Sequence, residues 1–387
     1  MSIETSVYYD EFLRYYSMAK IQQEECNLGT ISHAESSVDD TLMKNVHLYD
    51  VVNRKYAGFS QILLDMWHGT DLDHPYFGKF HDVRLPICKA FDKQSWGINE
   101  WLYVFLLHRV TGSGINYAKN PSGYHNTILP EFHDCLTVDD IVSKVCRYKG
   151  PMYTSVGYQF PAFPKPLAGS YTRGGDYFLC EYAPMLIDNF VKWLTPNTSF
   201  RDAMDFLVTW NKDHGLRAYR FQYAAFLADV ADFYPWLINS KSLFFYGTNA
   251  RECIKYMAKP KVKMNEQDFL DRVTEKACED TGGVPYDIED VMCDSIRWIE
   301  NYIKPGKDYD HICRDSVRNS SIIKDHPYGR QKAMLDLGLI KSFNDLNVHP
   351  SDDYILRLNE ININIYAQRC LQMYINIYNK HNLTETR

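Results

Sequence analysis

Residues 108–117, HRVTGSGINY, put an imidazole, a guanidinium, two glycines around a serine, an amide and a phenol into ten positions. They follow EWLYVFLL (100–107), an apolar and aromatic run that belongs in a core. At the end of such a helix His108 and Arg109 can complement the last carbonyls and the helix dipole, or they can hold an anion. One glycine suffices to stop a helix. Gly112 and Gly114 on either side of Ser113 therefore point to backbone that lets a ligand approach closely, with Asn116 and Tyr117 next in line as hydrogen-bonding groups.

Other groups with chemical capacity lie further along. GYHNT (123–127) carries His125 and Asn126, and Tyr158 sits in a stretch dense in Gly, Pro and Tyr. Arg173, Asp176 and Tyr177 surround the Gly174–Gly175 pair, where Asp176 is either a ligand or the cap of the helix that follows. Gln222 and Asp229 are seven residues apart, two helical turns, and share a face with Phe221, Ala225 and Phe226. A buried aspartate is costly unless paired, so this face needs a partner or a function; Asp232 is the competing choice. Asp287 and Glu289 suit the first turn of their own helix.

The elements that must position these groups are helices. Residues 38–67 keep apolar side chains largely on one helical face. Thr137 with Asp140 forms a capping-box variant that opens a helix over 137–147. Ser199 with Asp202 repeats it, and Gly215 is placed to end that helix. LRAYRFQYAAFLADVADFYPW continues as a buried helix halted near Pro235. Further helices are expected at 249–258, 265–280, 286–303 and 351–379. Between 111 and 179 only the 137–147 helix interrupts a long irregular segment, and such segments in compact domains usually carry function. The expected fold is mainly α: a single large helical domain over 1–387, with a loop-rich active-site region at 111–179 and a helical extension at 306–387.

Composition narrows the class. The chain has 387 residues, 45% of them hydrophobic, and a formal net charge of −7, enough apolar material for a sizeable core and no overall basic character. Residues 251–263, RECIKYMAKPKVK, hold five basic residues and one acid, which reads as a solvated helix end or a phosphate-contacting patch. The 29 tyrosines are mostly half-buried structure, with some able to stack on bases. Ten cysteines lie with no two separated by only two residues, which favours reduced thiols over a zinc site or disulfide scaffold. With no apolar span of about 20 residues and acids at the N-terminus, the expectation is a soluble, cytoplasmic protein. GxxxxGK[ST], HExxH and a strand-borne GxGxxG are all absent.

Taken in order, LLHRVTGSGINY…GYHNT, GSYTRGGDYFLCEYAP, GLRAYRFQYAAFLADVADF, FFYGTNA and DIEDVMCDSIRWIENYIK resemble the alpha-glutamyl/putrescinyl thymine pyrophosphorylases. These are bacteriophage-type amino acid:DNA transferases with a helical domain related to DNA glycosylases. The likeness covers roughly 35–305. The chain departs from the family in placing its first aspartate after Gln222 at Asp229, and in having Gly247-Thr248-Asn249 where a Gly-Pro-Gly turn is frequent.

The resemblance implies a reaction on DNA in which the pyrophosphate of 5-pyrophosphoryloxymethyluracil is replaced by an amine, from an amino acid or a polyamine. An anionic leaving group calls for cations or helix N-termini. Arg109, Arg173, Arg217 and the amides of GTNA, with Asn249 as cap, are the candidates. The amine must lose a proton, for which Asp176, Asp229, His125 and His108 are available. Tyr117, Tyr158 and Tyr177 can form a platform for an extruded base. Gln222 joins the catalytic set, and Gly112, Ser113, Asn116 and Asn126 the binding set. No cofactor is expected, although Mg²⁺ held by one or two carboxylates suits a pyrophosphate. The alternatives are a DNA glycosylase-like enzyme and a noncatalytic helical DNA-binding protein.

Overall fold

A computed structural model describes residues 2–28, 63, 66, 67, 96–111, 128–148 and 174–304. The expected helices at 38–67 and 351–379 and most of the 111–179 loop region thus lie outside the described residues, apart from Leu63, Met66 and Trp67 of the first. Helices account for 73% of what is described, so the chain is mainly α. In chain order the elements are β1 (Ile3–Thr5), α1 (Val7–Leu28), α2 (Ile98–Thr111), a 3₁₀ turn (Leu129–Asp134) and α3 (Val138–Arg147). One helical turn (Gly174–Tyr177) and a π-helical turn (Phe178–Tyr182) then lead into α4 (Ala183–Trp193), α5 (Phe200–Asp213) and α6 (Arg220–Phe233). The last elements are α7 (Thr248–Met257), β2 (Ala258–Pro260), α8 (Glu266–Thr281), α9 (Pro285–Trp298) and a closing π turn (Ile299–Ile303). No helix among the described residues is long and apolar enough to cross a membrane.

The chain divides into two compact units. In one, which includes residues 54–245, α2 is buried at every position from Trp101 to Thr111, and α6 is buried from Gln222 to Ala231. A helix apolar all round belongs in the centre, and these two pack against each other. The amphipathic α4 and α5 lie outside them, α4 on α2 and α5 on α6. Trp67 closes an aromatic cluster over the pair, in edge contact with Trp101, Phe233 and Tyr234.

The capping signals act as their chemistry requires. Thr137 and Asp140 form the reciprocal box at the start of α3, and Ser199 accepts from the Asp202 amide at the start of α5. Gly215 adopts φ 69° just beyond α5. The α5–α6 turn is then held from inside. Buried Asn211 donates to the Arg217 carbonyl at 2.6 Å and accepts from the Tyr223 hydroxyl at 2.7 Å.

The π turn before α4 has a sequence cause. Pro184 has no N–H, so neither an α-type bond to the Cys180 carbonyl nor a π-type bond to the Leu179 carbonyl can form. The Ala183 amide bonds to Phe178 instead. The Leu179 carbonyl accepts from the buried Tyr103 hydroxyl of α2 at 2.9 Å. Burial holds the Tyr103 phenol well above its ordinary range, so it stays a donor.

The other unit holds β1 paired antiparallel with β2, and packs α1, α7, α8 and most of α9 around Phe12, Ile254, Leu270, Val273, Val291 and Met292. Two glycines separate α8 from α9 for different reasons. Gly282 takes φ 73° as the α8 cap, while a Cβ on Gly283 would come within 2.8 Å of the Tyr16 hydroxyl and 2.9 Å of Ile288.

Tyr103→Phe removes only one oxygen, but it strands the Leu179 carbonyl in the core. The expected cost is about 1–3 kcal/mol, read as a lower urea midpoint at unchanged m-value.

Candidate functional site

The residues at the exit of α2 are not at a frayed helix end. The helix runs on through Thr111, whose hydroxyl bonds back to the Leu107 carbonyl at 2.8 Å, and His108 and Arg109 are each 1% exposed. Arg109 reaches across to α6 and grips Asp229, itself 1% exposed, with two parallel bonds. Its Nε donates to Oδ2 at 2.5 Å and its Nη2 donates to Oδ1. This is the bidentate fork that a guanidinium makes with a carboxylate. It answers the requirement that a buried aspartate at 229 be paired, and names the partner.

Gln222, 7% exposed, lies two turns before Asp229 on α6. The His108 imidazole is pushed well below its ordinary 6.5, first by burial and then by the positive charge of Arg109 beside it. It is therefore a neutral ring in the fold, poorly disposed to take a proton.

Asp176, 4% exposed, belongs to the helical turn Gly174–Tyr177 that runs into the π turn. It does not cap α4, because that helix continues from the turn that contains it. Asp176 lies close enough to Tyr103 and Cys180 to raise both their ionisation ranges. Tyr177 is half-buried, with its hydroxyl 3.3 Å from that of Tyr182. Arg217 is exposed on the α5–α6 turn. Asp232 accepts from the Tyr286 hydroxyl at 2.6 Å, which accounts for it structurally. Gly112, Ser113, Asn116, Tyr117, His125, Asn126, Tyr158 and Arg173 lie outside the described residues.

Asn249 requires a correction. It is the second residue of α7, and Gly247 is the cap. The Gly247 amide donates to Glu289 of α9 at 2.9 Å, and Asn249 turns its amide toward the Cys293 sulfur. A carboxylate of the chain thus already sits at the N-terminus expected to face a leaving group. Asn249 and Asp229 also belong to different compact units. Glu289, expected to serve its own helix, serves another. The basic stretch 251–263 is partly neutralised: Lys255 pairs with Glu252 at 2.7 Å, Lys259 with Glu4 at 3.4 Å, and Arg251 with Glu266 at 3.9 Å.

An open cleft of about 770 Å³ runs along α5, lined by Asp202, Asp205, Asp213 and the rings of Trp193, Phe206 and Trp210. Its acids and ring faces suit a cation. None of Arg109, Asp176, Gln222 and Asp229 lines it. Among the described residues no group of three or more His, Cys, Asp or Glu could hold a metal ion.

No family model, curated protein or solved structure matches the chain.

Breaking the fork leaves one charge buried without its fork partner. Arg109→Met or Asp229→Leu alone is expected to cost about 3–5 kcal/mol, whereas the double variant recovers most of that loss, as a double-mutant cycle in urea unfolding will read. The neutral His108 sets a pH dependence. Its folded value lies below 6.5, so the unfolded chain binds the extra proton as pH drops beneath 6.5. Its contribution is therefore intact above pH 6.5 and declines in acid, by up to about 1.4 kcal/mol per pH unit. His108→Gln is expected to flatten the stability profile between about pH 5 and 6.5.

Proposed function

We propose that the chain is a DNA-modifying transferase that displaces pyrophosphate from 5-pyrophosphoryloxymethyluracil in DNA with an amine, drawn from an amino acid or a polyamine. The ordered sequence resemblance supplies the reaction, and with it a kinship to the helical domain of DNA glycosylases. The mainly helical fold is consistent with that kinship. The observation that carries the reading is the buried Arg109–Asp229 fork, which immediately precedes the glycine-rich segment 112–114. Charges inside an apolar helix pair are costly to bury, and perturbed, desolvated charges cluster where chemistry is done.

In this reading Asp229 orients the guanidinium and does not act as the base, because a carboxylate held in a fork gives up charge-assisted bonds when it takes a proton. Arg109 supports the departing pyrophosphate. The amine nitrogen bonds to the exocyclic carbon as the carbon–oxygen bond to pyrophosphate breaks, and the proton lost by the amine passes to Asp176 or His125. His108, neutral and buried, positions Arg109. Tyr177, together with Tyr117 and Tyr158, supplies the face on which an extruded base rests.

One observation favours a second reading. The fork is 1% exposed on both sides, as a purely structural pair would be, which fits a noncatalytic DNA-binding protein. The two are separated by incubating the full chain with DNA containing pyrophosphorylated hydroxymethyluracil and a pool of amines, then analysing nucleosides by mass spectrometry. The expected result is a new amine adduct with one pyrophosphate released per adduct. Arg109→Lys, which keeps the charge and loses the fork, should slow adduct formation by about 10²-fold or more. Release of free base would favour cleavage, and unaltered nucleosides with intact DNA binding the noncatalytic reading.

A further inference from the structure

Cys146, in the last turn of α3, and Cys180, inside the π turn, bring their sulfurs to 2.7 Å. The two are 34 residues apart, so the approach is made by α3 packing on the π turn and not by local chain geometry. A disulfide bond is about 2.05 Å long. The sulfurs thus lie within about 1 Å of bonding distance. Cys146 is exposed and Cys180 half-buried. That division gives the pair one sulfur that meets reagents and one that waits behind it.

The surroundings fit these roles. Burial, the hydrogen bond shared with Cys146 and the charges of Asp176 and Glu181 all push the Cys180 thiol up. Cys180 is thus a poor first nucleophile toward anything in solution. Held at 2.7 Å, it is well placed to attack a sulfur already activated on Cys146. The buried Tyr103, which holds the neighbouring Leu179 carbonyl, lies against the same pair.

We infer that Cys146 and Cys180 are a thiol-oxidation site that forms a reversible disulfide, stapling α3 to the π turn. The co-reactant is a small disulfide such as glutathione disulfide. The Cys146 thiolate attacks one of its sulfurs, giving a mixed disulfide and one glutathione thiolate. The Cys180 thiolate then attacks the Cys146 sulfur, forming the internal bond and expelling the second glutathione thiolate. The two cysteine protons end on the two released thiolates, and the two electrons lost by the cysteines reduce one glutathione disulfide to two glutathiones. The staple would fix the segment bearing Asp176 and Tyr177. The inference does not depend on the proposed transferase activity.

The test equilibrates the full chain with glutathione disulfide or with a dithiol reductant, alkylates the remaining thiols and maps the peptides by mass. The expected result is a cross-linked Cys146–Cys180 peptide pair two hydrogens lighter than the reduced peptides, reversed by reductant. The oxidised protein should melt higher by roughly 5 °C. Cys180→Ser should abolish that gain and leave Cys146 as a stable glutathione adduct. Full alkylation of both thiols after oxidation overturns the inference. So does pairing of either cysteine elsewhere, or a mixed disulfide at Cys146 that persists in the unmutated chain.

Discussion

The fork between Arg109 and Asp229 is the constraint on which the arrangement of the helical unit around α2 and α6 depends. Both helices are apolar on every side, and hydrophobic burial is non-directional. It drives them together without choosing one rotation or axial offset over its neighbours. A bidentate guanidinium–carboxylate contact accepts one geometry. A shift of α6 by one residue would turn Asp229 away from Arg109 and leave both charges desolvated, at a cost of about 3–5 kcal/mol. The pair therefore sets register, and that register fixes where Gln222 and His108 sit.

A second chain of causes begins at a single proline. Pro184 denies an amide to the carbonyls behind it, the ladder widens into a π turn, and the Leu179 carbonyl is left for Tyr103. This tyrosine is in turn available only because α2 is central and buried there. The widened turn carries Cys180 toward Cys146 and sets the helical turn containing Asp176 immediately before it. The turn thus meets a phenol of α2 and a thiol of α3 beside its own thiol, with the Asp176 carboxylate one turn earlier. π-helical turns recur at functional sites.

Local chemistry was legible in the sequence, and tertiary pairing was not. Thr137, Ser199 and Gly215 act within a few residues of themselves, so their spacing alone foretold the ends of α3 and α5. The unbroken apolar run 101–107 announced a central helix. Asp229 could be seen to need a partner, since burial of a carboxylate demands one, but nothing in the sequence distinguishes Arg109, 120 residues away, from other cations. Glu289 and Asn249 mislead for the same reason. An acid in the first turn ordinarily serves its own helix, and an asparagine just before a helical run ordinarily caps it. Here packing of α9 beside α7 brings the Glu289 carboxylate to the Gly247 amide first. The Cys146–Cys180 contact escaped a search for short spacings because two elements far apart in the chain create it. Pro184 was the one readable sign of the π turn; its cost to the Leu179 carbonyl follows from counting backbone donors.

The fork also limits what it can do chemically. Arg109 and Asp229 together are neutral, so they present an oriented dipole and not a net positive charge. A departing pyrophosphate carries several negative charges, and a dipole stabilises only the part nearest its positive end. The rest requires an unpaired cation brought close by another segment. Arg173 directly precedes the Gly174–Asp176 turn, in the same glycine-rich part of the chain to which α2 leads, whereas Arg217 is exposed on the α5–α6 turn. On electrostatic grounds the proposed reaction therefore needs to divide its anion binding, with Arg109 fixing direction from the buried seam and a second cation supplying net charge. The division has a structural logic. A permanently buried, unpaired guanidinium would destabilise the helix pair, whereas an exposed one keeps its hydration until an anion replaces it.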